Sequence, residues 1–269
     1  MALTTLSVGA GRLELARDCE LDTRLTPRFS AFLDVANDHS TAVPAALRCS
    51  EHEWLPHDGV RGGREPVLQR DGTRWHLRWC YCDLRGGPDG VEGIYSKRDA
   101  GLEHALRAAA ILTWMPSRVL YFHAATLVFD GFAYLLAGSP NAGKSTISSE
   151  GGAERVLCNE ISVVGEIDGV WWALPSPFWG SGDVAVRDLP APLRATAVLT
   201  QAEHENSWSP IVGAASIAAL LPHVGVQARE SLLDPALLAS LRQLTNDVGC
   251  YSLSWHRASP PLAGSPWKP

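Results

Sequence analysis

Apolar and polar positions change rhythm about a third of the way along this chain. Up to residue 99 the apolar residues come in short alternating runs, as in Arg12-Leu-Glu-Leu-Ala16, Trp75–Asp83 and Val91–Tyr95. A period of two puts successive side chains on opposite faces of a strand. Asp58-Gly59, Asp71-Gly72 and Gly86-Gly-Pro-Asp-Gly90 supply turns between the runs. The Arg- and Gly-rich segment 61–74 reads as a solvated loop. After Lys97–Gly101 the period lengthens. Leu102, Leu106, Ala109, Ala110 and Trp114 fall at helical spacing, and Pro116 stops the helix. His104 falls off that stripe and is expected to be exposed.

Two longer apolar runs follow, Val119–Phe129 and Phe132–Leu136, joined by Asp130-Gly131, a short-hairpin signature. Arg155–Val164 is an apolar strand broken by the polar pair Asn159-Glu160. Glu166–Trp172 reads as a second hairpin with Asp168-Gly169 at its tip, and Trp171-Trp172 as core. Pro175–Asp183 is dense in turn formers. Leu193–Leu199 predicts a strand, Ile217–Leu221 and Pro235–Leu244 helices, and Cys250–Trp255 a last strand. The resulting division is a β-rich N-terminal domain over 1–99, a larger α/β domain over 100–259, and a loose tail over 260–269.

Between the first hairpin and its following helix lies Gly138-Ser-Pro-Asn-Ala-Gly143-Lys144-Ser145-Thr146. This fits G-x-x-x-x-G-K-[ST], the Walker A loop whose backbone N–H groups wrap nucleotide phosphates. The chain has three lysines, Lys97, Lys144 and Lys268, so the lysine is not one of many scattered at random. An apolar strand before the loop, and a helix from Ser145 whose positive end faces the phosphates, give the motif its proper setting. The loop follows a hairpin strand rather than a simple βαβ strand.

Composition narrows the partners. A net charge of −6 leaves no basic footprint for nucleic acid. No apolar run has the length of a membrane span, and the N-terminus has neither the basic region nor the apolar stretch of a secretory signal. The expected compartment is the cytosol, where the six cysteines would be free thiols. Cys80 and Cys82 fall on one face of the Trp75–Asp83 strand, and no further ligands of metal-binding geometry accompany them.

Phe122-His-Ala-Ala-Thr-Leu-Val, the hairpin, Gly138–Thr146 and Leu157-Cys-Asn-Glu-Ile-Ser-Val-Val stand in one order. Together they resemble the HPr serine kinase/phosphorylase family, over roughly residues 100–255. The likeness is to its divergent HPr kinase-related branch, whose members are often encoded beside peptide natural-product pathways, including lasso-peptide clusters. The resemblance implies a P-loop kinase core of the HPr kinase/phosphoenolpyruvate carboxykinase type, with the hairpin preceding the Walker A loop. It also implies ATP and Mg²⁺ as cofactors, a homo-oligomer, and transfer of the γ-phosphate to a hydroxyl, usually serine, of a peptide, protein or small-molecule acceptor.

Carried onto this chain, the resemblance makes Gly138, Asn141, Ala142, Gly143, Lys144, Ser145 and Thr146 the nucleotide-binding residues. Lys144 would reach the β- and γ-phosphates, and the Ser145 hydroxyl and the Glu160 carboxylate would hold Mg²⁺. His123 matches the family's histidine before the hairpin. The family places an acidic pair where this chain has Asn159-Glu160. An amide cannot accept a proton, so Glu160 must serve both metal and acceptor hydroxyl, or His123 must share the work. The family's E-[VI]-R-G-[LI]-G signature is missing. Pro177–Gly182 stands in its place, which argues against HPr as the acceptor. Phe178–Gly182 reads as a candidate substrate lid, and Arg187 as a candidate to neutralise transferring charge. Two further readings stand beside the kinase: a nucleotide-binding regulator that moves no phosphate, and a metal-dependent ATPase.

Overall fold

The computed structural model describes residues 3–8, 11–16, 29, 32–34, 42–50, 66–97, 99–114, 119–180, 188–225 and 234–267. Among these residues the chain is a mixed α/β protein with two sheets and few helices.

The first sheet is built from β1 (Leu3–Val8), β2 (Gly11–Ala16), β3 (Leu33–Asp34), β4 (Ala42–Cys49), β5 (Val67–Asp71), β6 (Arg74–Arg78), β7 (Cys82–Gly87) and β8 (Gly90–Tyr95). Their order is β3-β1-β2-β4-β8-β7-β6-β5, with the parallel trio β2, β4 and β8 at the centre. Alternation does its work here: in β6, Trp75 and Leu77 are buried while Arg74 is exposed. The expected single strand from Trp75 to Asp83 is instead a tight hairpin. Trp79 N–H donates to Cys82 O at 2.8 Å and Cys82 N–H returns to Trp79 O at 3.2 Å. Cys80 and Cys82 therefore do not share the face of one strand, although both are buried. The segment 67–71, expected within a loop, forms the edge strand β5.

Helix α1 (Asp99–Trp114) packs against β7 and β8. Ala105, Leu106, Ala108, Ala109, Ala110, Ile111 and Leu112 are all buried, a wider apolar surface than a single stripe. One continuous core runs from Leu13 and Leu84 through this helix to Tyr121, Ile161, Val163 and Phe178, so the interior does not part at residue 100. His104, expected to be exposed, is half-buried, stacked on Tyr81 with ring centroids 4.2 Å apart and edge-on to Trp79 at 4.7 Å. The hairpin turn that the alternation does not reveal brings these rings over the helix.

The second sheet contains β9 (Val119–Phe129), β10 (Phe132–Ala137), β11 (Arg155–Cys158), β12 (Ile161–Ile167), β13 (Val170–Leu174), β14 (Ala191–Gln201), β15 (Ser207–Ile211) and β16 (Cys250–Trp255). Strand β9 is long because it serves two partners on one side. Its first half pairs with β12, from Val119↔Gly165 to His123↔Ile161, and its second half pairs with β11. Asn159-Glu160 falls at the junction, where Ala124 N–H donates to Glu160 O at 3.0 Å. Strand β10 lies between β9, antiparallel, and β14, parallel; β14 continues in parallel to β16. Both Asp-Gly hairpin tips take positive φ at both residues, 49° and 75° at Asp130-Gly131 and 51° and 79° at Asp168-Gly169, as two-residue turns between twisted strands require.

Helices α2 (Lys144–Glu150), α3 (Ala214–Leu220) and α4 (Pro235–Asp247) complete the unit. Residues 260–267 are not loose. Trp267 meets Tyr134, Trp208 and Tyr251 edge-on at 5.6, 5.3 and 4.7 Å, and Trp208 Nε1 donates to Pro261 O at 3.1 Å. A large aromatic group near a chain end finds enough apolar area to offset the entropy of ordering it. Among the described residues no helix is long and apolar enough to cross a membrane.

Candidate functional site

The segment Gly138–Thr146 leaves the end of β10 and enters α2. Gly138 sits where a Cβ would come within 2.8 Å of Ala142 Cβ and 3.1 Å of Leu199 O, so the loop's closure requires glycine there. Gly143 has φ of 103°, a region open to glycine and strained for other residues. Asn141 also takes positive φ, at 66°, and its carbonyl accepts from Gln201 Nε2 at 2.7 Å, which pins the loop to the end of β14. Within the loop, Ala142 N–H donates to Ser139 O at 3.1 Å. No side chain caps the start of α2, and the first-turn amides of Lys144, Ser145 and Thr146 have no partner within a helix. The Ser145 side chain is exposed beside them.

Lys144 is folded back on its own loop. Its Nζ donates to Gly138 O at 2.7 Å and Ser139 O at 3.2 Å, and the residue is only 8% exposed. Burial pulls its ammonium down from the ordinary value, while nearby Glu160 opposes that shift. The carbonyls substitute for water around a cation that burial would otherwise penalise.

Glu160 stands at the β11–β12 junction with Oε1 3.5 Å from His123 Nε2 and 3.9 Å from Arg107 Nη1. Contact with His123 is the largest influence holding its carboxyl below the usual range; burial opposes it, and the charges of Arg107 and Lys144 add to it. Glu160 is therefore a carboxylate flanked by the His123 imidazole and the Arg107 guanidinium, within the field of the Lys144 ammonium.

Asn159 points elsewhere. Its Oδ1 accepts the backbone N–H of Gly180 at 2.8 Å. Ile161 N–H donates to Phe178 O at 3.0 Å, and Cys158 Sγ donates to the same oxygen at 3.2 Å. The turn 176–180 is thus fastened along the strand that carries Glu160. Phe178 is fully buried, edge-on to Phe29 with centroids 6.3 Å apart. The rest of the candidate lid, Ser181 and Gly182, and Arg187 lie outside the described residues.

So the structure pairs Glu160 with His123 and sets Lys144 within electrostatic reach of Glu160, its ammonium on the carbonyls of Gly138 and Ser139. It assigns Asn159 to holding the 176–180 turn. Two residues outside the motifs belong to the same cluster. Arg107 carries one usable sequence signal, its i,i+4 spacing from Glu103, with which it forms a 3.0 Å ion pair. His223 carries none. It enters because Val224 bridges Phe122 and Gly225 N–H donates to Tyr121 O at 2.8 Å, which in antiparallel register sets His223 opposite His123. Burial lowers its pKa, and Lys144 and His123 lower it further.

Among the described residues, no group of three or more His, Cys, Asp or Glu side chains is arranged to hold a metal by protein ligands alone. A groove of about 830 Å³ opens on the first sheet, lined by Arg70, Trp75, His76 and Arg85 among others, away from the loop. No family model matches the chain, and no curated protein matches it either.

Proposed function

We propose that this chain is an ATP-dependent kinase with a P-loop core of the HPr kinase type, transferring the γ-phosphate to a hydroxyl of a peptide, protein or small-molecule acceptor. The reading is carried by a Walker A loop of suitable backbone form whose Lys144 lies within electrostatic reach of Glu160, itself paired with His123.

The residues fit the cofactor the loop implies. Mg²⁺ takes hard oxygen ligands and keeps several waters and substrate phosphates, so it needs only one or two protein oxygens. The Ser145 hydroxyl and the Glu160 carboxylate are donors of that kind. Bound there, the ion would supply charge neutralisation on the phosphate oxygens.

The chain's own side chains do the rest. Lys144 exchanges the carbonyls of Gly138 and Ser139 for phosphate oxygens, a replacement of neutral by charged acceptors that favours binding. Loop amides hold the phosphates in register. As the acceptor oxygen bonds to phosphorus and the bond to the ADP oxygen breaks, the hydroxyl proton passes to Glu160 Oε2, while His123 holds Oε1. Asn159 takes no part in the proton transfer, because its oxygen is committed to Gly180.

That commitment also supports a second reading, a nucleotide-binding regulator without transfer, since only Glu160 remains of the family's acidic pair. Incubation with γ-labelled ATP and hydroxyl-bearing peptides encoded near the gene separates the two. Label on an acceptor that disappears in Glu160→Gln supports the kinase. Nucleotide binding with no labelled acceptor supports the regulator.

A further inference from the structure

Arg107 links α1 both to Glu160 and to the 176–180 turn. It projects from α1, one turn after Glu103, and its Nη2 is held by Glu103 Oε1 at 3.0 Å. Its guanidinium carbon lies 6.0 Å from the centroid of the Phe178 ring, at the base of the 176–180 turn. Its side chain is 18% exposed and its Nε is buried without a hydrogen-bond partner. What remains is Nη1, and that nitrogen faces Glu160 Oε1 at 3.9 Å.

Both contacts to Glu160, from His123 and from Arg107, fall on Oε1. A carboxylate with one oxygen held between an imidazole and a guanidinium has its rotation restricted, and its other oxygen is presented in one direction. We infer that Arg107 is a positioning residue for Glu160, fixing the carboxylate through Oε1 so that Oε2 meets Mg²⁺ and the acceptor hydroxyl. The inference rests on the nucleotide reading above. It also gives α1 a function: the helix that packs on the first sheet carries the group that orients the carboxylate of the second.

Geometry and charge predict opposite results when Arg107 is changed. By charge alone, removing a cation beside Glu160 makes the site more negative and strengthens binding of a divalent cation. By positioning, removing it frees the carboxylate and weakens that binding. Groups that orient metal ligands typically affect metal affinity by about 10- to 100-fold. Lysine keeps the charge but not the planar fork that spans Glu103 and Glu160 at once, so Arg107→Lys should behave as a loss.

The test is calorimetric and needs no turnover. ATP affinity is measured with Mg²⁺ and with EDTA in wild type, Arg107→Met, Arg107→Lys, Glu160→Gln and the Arg107→Met/Glu160→Gln double variant. The Mg²⁺-dependent gain in affinity is expected to fall about tenfold in both Arg107 variants, with affinity in EDTA within about twofold of wild type. The double variant should lose no more than Glu160→Gln alone, as groups acting through one another do. An unchanged or larger gain in Arg107→Met, or losses that add, would overturn the inference and leave the nucleotide reading standing. Failure of wild type to bind ATP would overturn both. If Arg107→Met does not fold, Arg107→Lys, which keeps the charge and most of the stem, decides the matter.

Discussion

Glu160 Oε1 stands 3.5 Å from His123 Nε2 because Ile161 pairs with His123 in the register of β12 and β9. The break between β11 and β12 leaves Glu160 at the strand end, next to the histidine and within the field of Lys144. General-base groups contribute about 10²- to 10⁴-fold to rate. Glu160→Gln should therefore reduce phosphate transfer by at least about 100-fold. His123→Ala should reduce it less, and the double variant should lose little beyond Glu160→Gln. Steady-state transfer rates for the three variants check this. Independent, multiplying losses would show that the two side chains do not act as a pair.

Asn159 is predicted to matter for the turn rather than for proton transfer. Asn159→Ala removes the acceptor for Gly180 N–H and should cost about 1 kcal/mol, a typical net worth for such a bond. Asn159→Asp keeps an acceptor at the same place and should melt near wild type. It should raise transfer by no more than about twofold, since the new oxygen stays on Gly180. Thermal melts with parallel transfer assays decide. Activity appearing only in Asn159→Asp would favour the regulator that moves no phosphate.

His104 makes stability depend on acid. Burial, with Arg107 adding to it, pushes its imidazole down to about 3 from an ordinary 6.5. Between these values the unfolded chain binds a proton that the folded chain does not. Stability from the neutral ring is thus complete above pH 6.5 and is lost as pH falls toward about 3. His104→Phe keeps the stack on Tyr81 and removes the titration. It also removes a buried Nδ1 without a partner, a change that is often neutral or stabilising. The fall in melting temperature between pH 7 and pH 4 should be smaller in the variant. Equal falls would contradict the burial of His104.

Trp267 anchors the chain end. Its three edge-on aromatic contacts predict that Trp267→Ala destabilises by about 2 kcal/mol, less than a fully buried tryptophan because the residue is only partly covered. Denaturant titration measures it. A change under about 0.5 kcal/mol, typical of plain surface substitutions, would return residues 260–267 to the status of a tail.

Elements with local signals are legible in the amino-acid sequence. The Asp130-Gly131 and Asp168-Gly169 hairpins, the strand Cys250–Trp255 and the glycine-rich turn from strand to helix at Gly138–Lys144 all depend on neighbours in sequence. So does the interruption at Asn159-Glu160, two polar residues in an apolar run. Relations between distant segments are not legible in this way. The hairpin at Trp79–Cys82 keeps a strand-like composition, and β15 (Ser207–Ile211) is short, polar and carries Pro210, which suits an edge position and breaks no pattern. His104 reads as exposed because the helical stripe counts only one apolar face, whereas α1 is covered on several. His223 and Arg107 reach the site through a strand bridge and a helix packed on the first sheet, and neither contact has a local code. Asn159 fits a catalytic role by its position in a motif, but its oxygen faces Gly180.

The most direct test of the central claim is titration of Mg·ATP into wild type and Lys144→Ala, with melting curves showing both folded. Losing a charge-assisted contact costs about 1.5–3 kcal/mol, so binding should weaken by roughly 10- to 100-fold in the variant. Equal affinity in the two proteins, or no binding by wild type, would contradict a phosphate site at this loop.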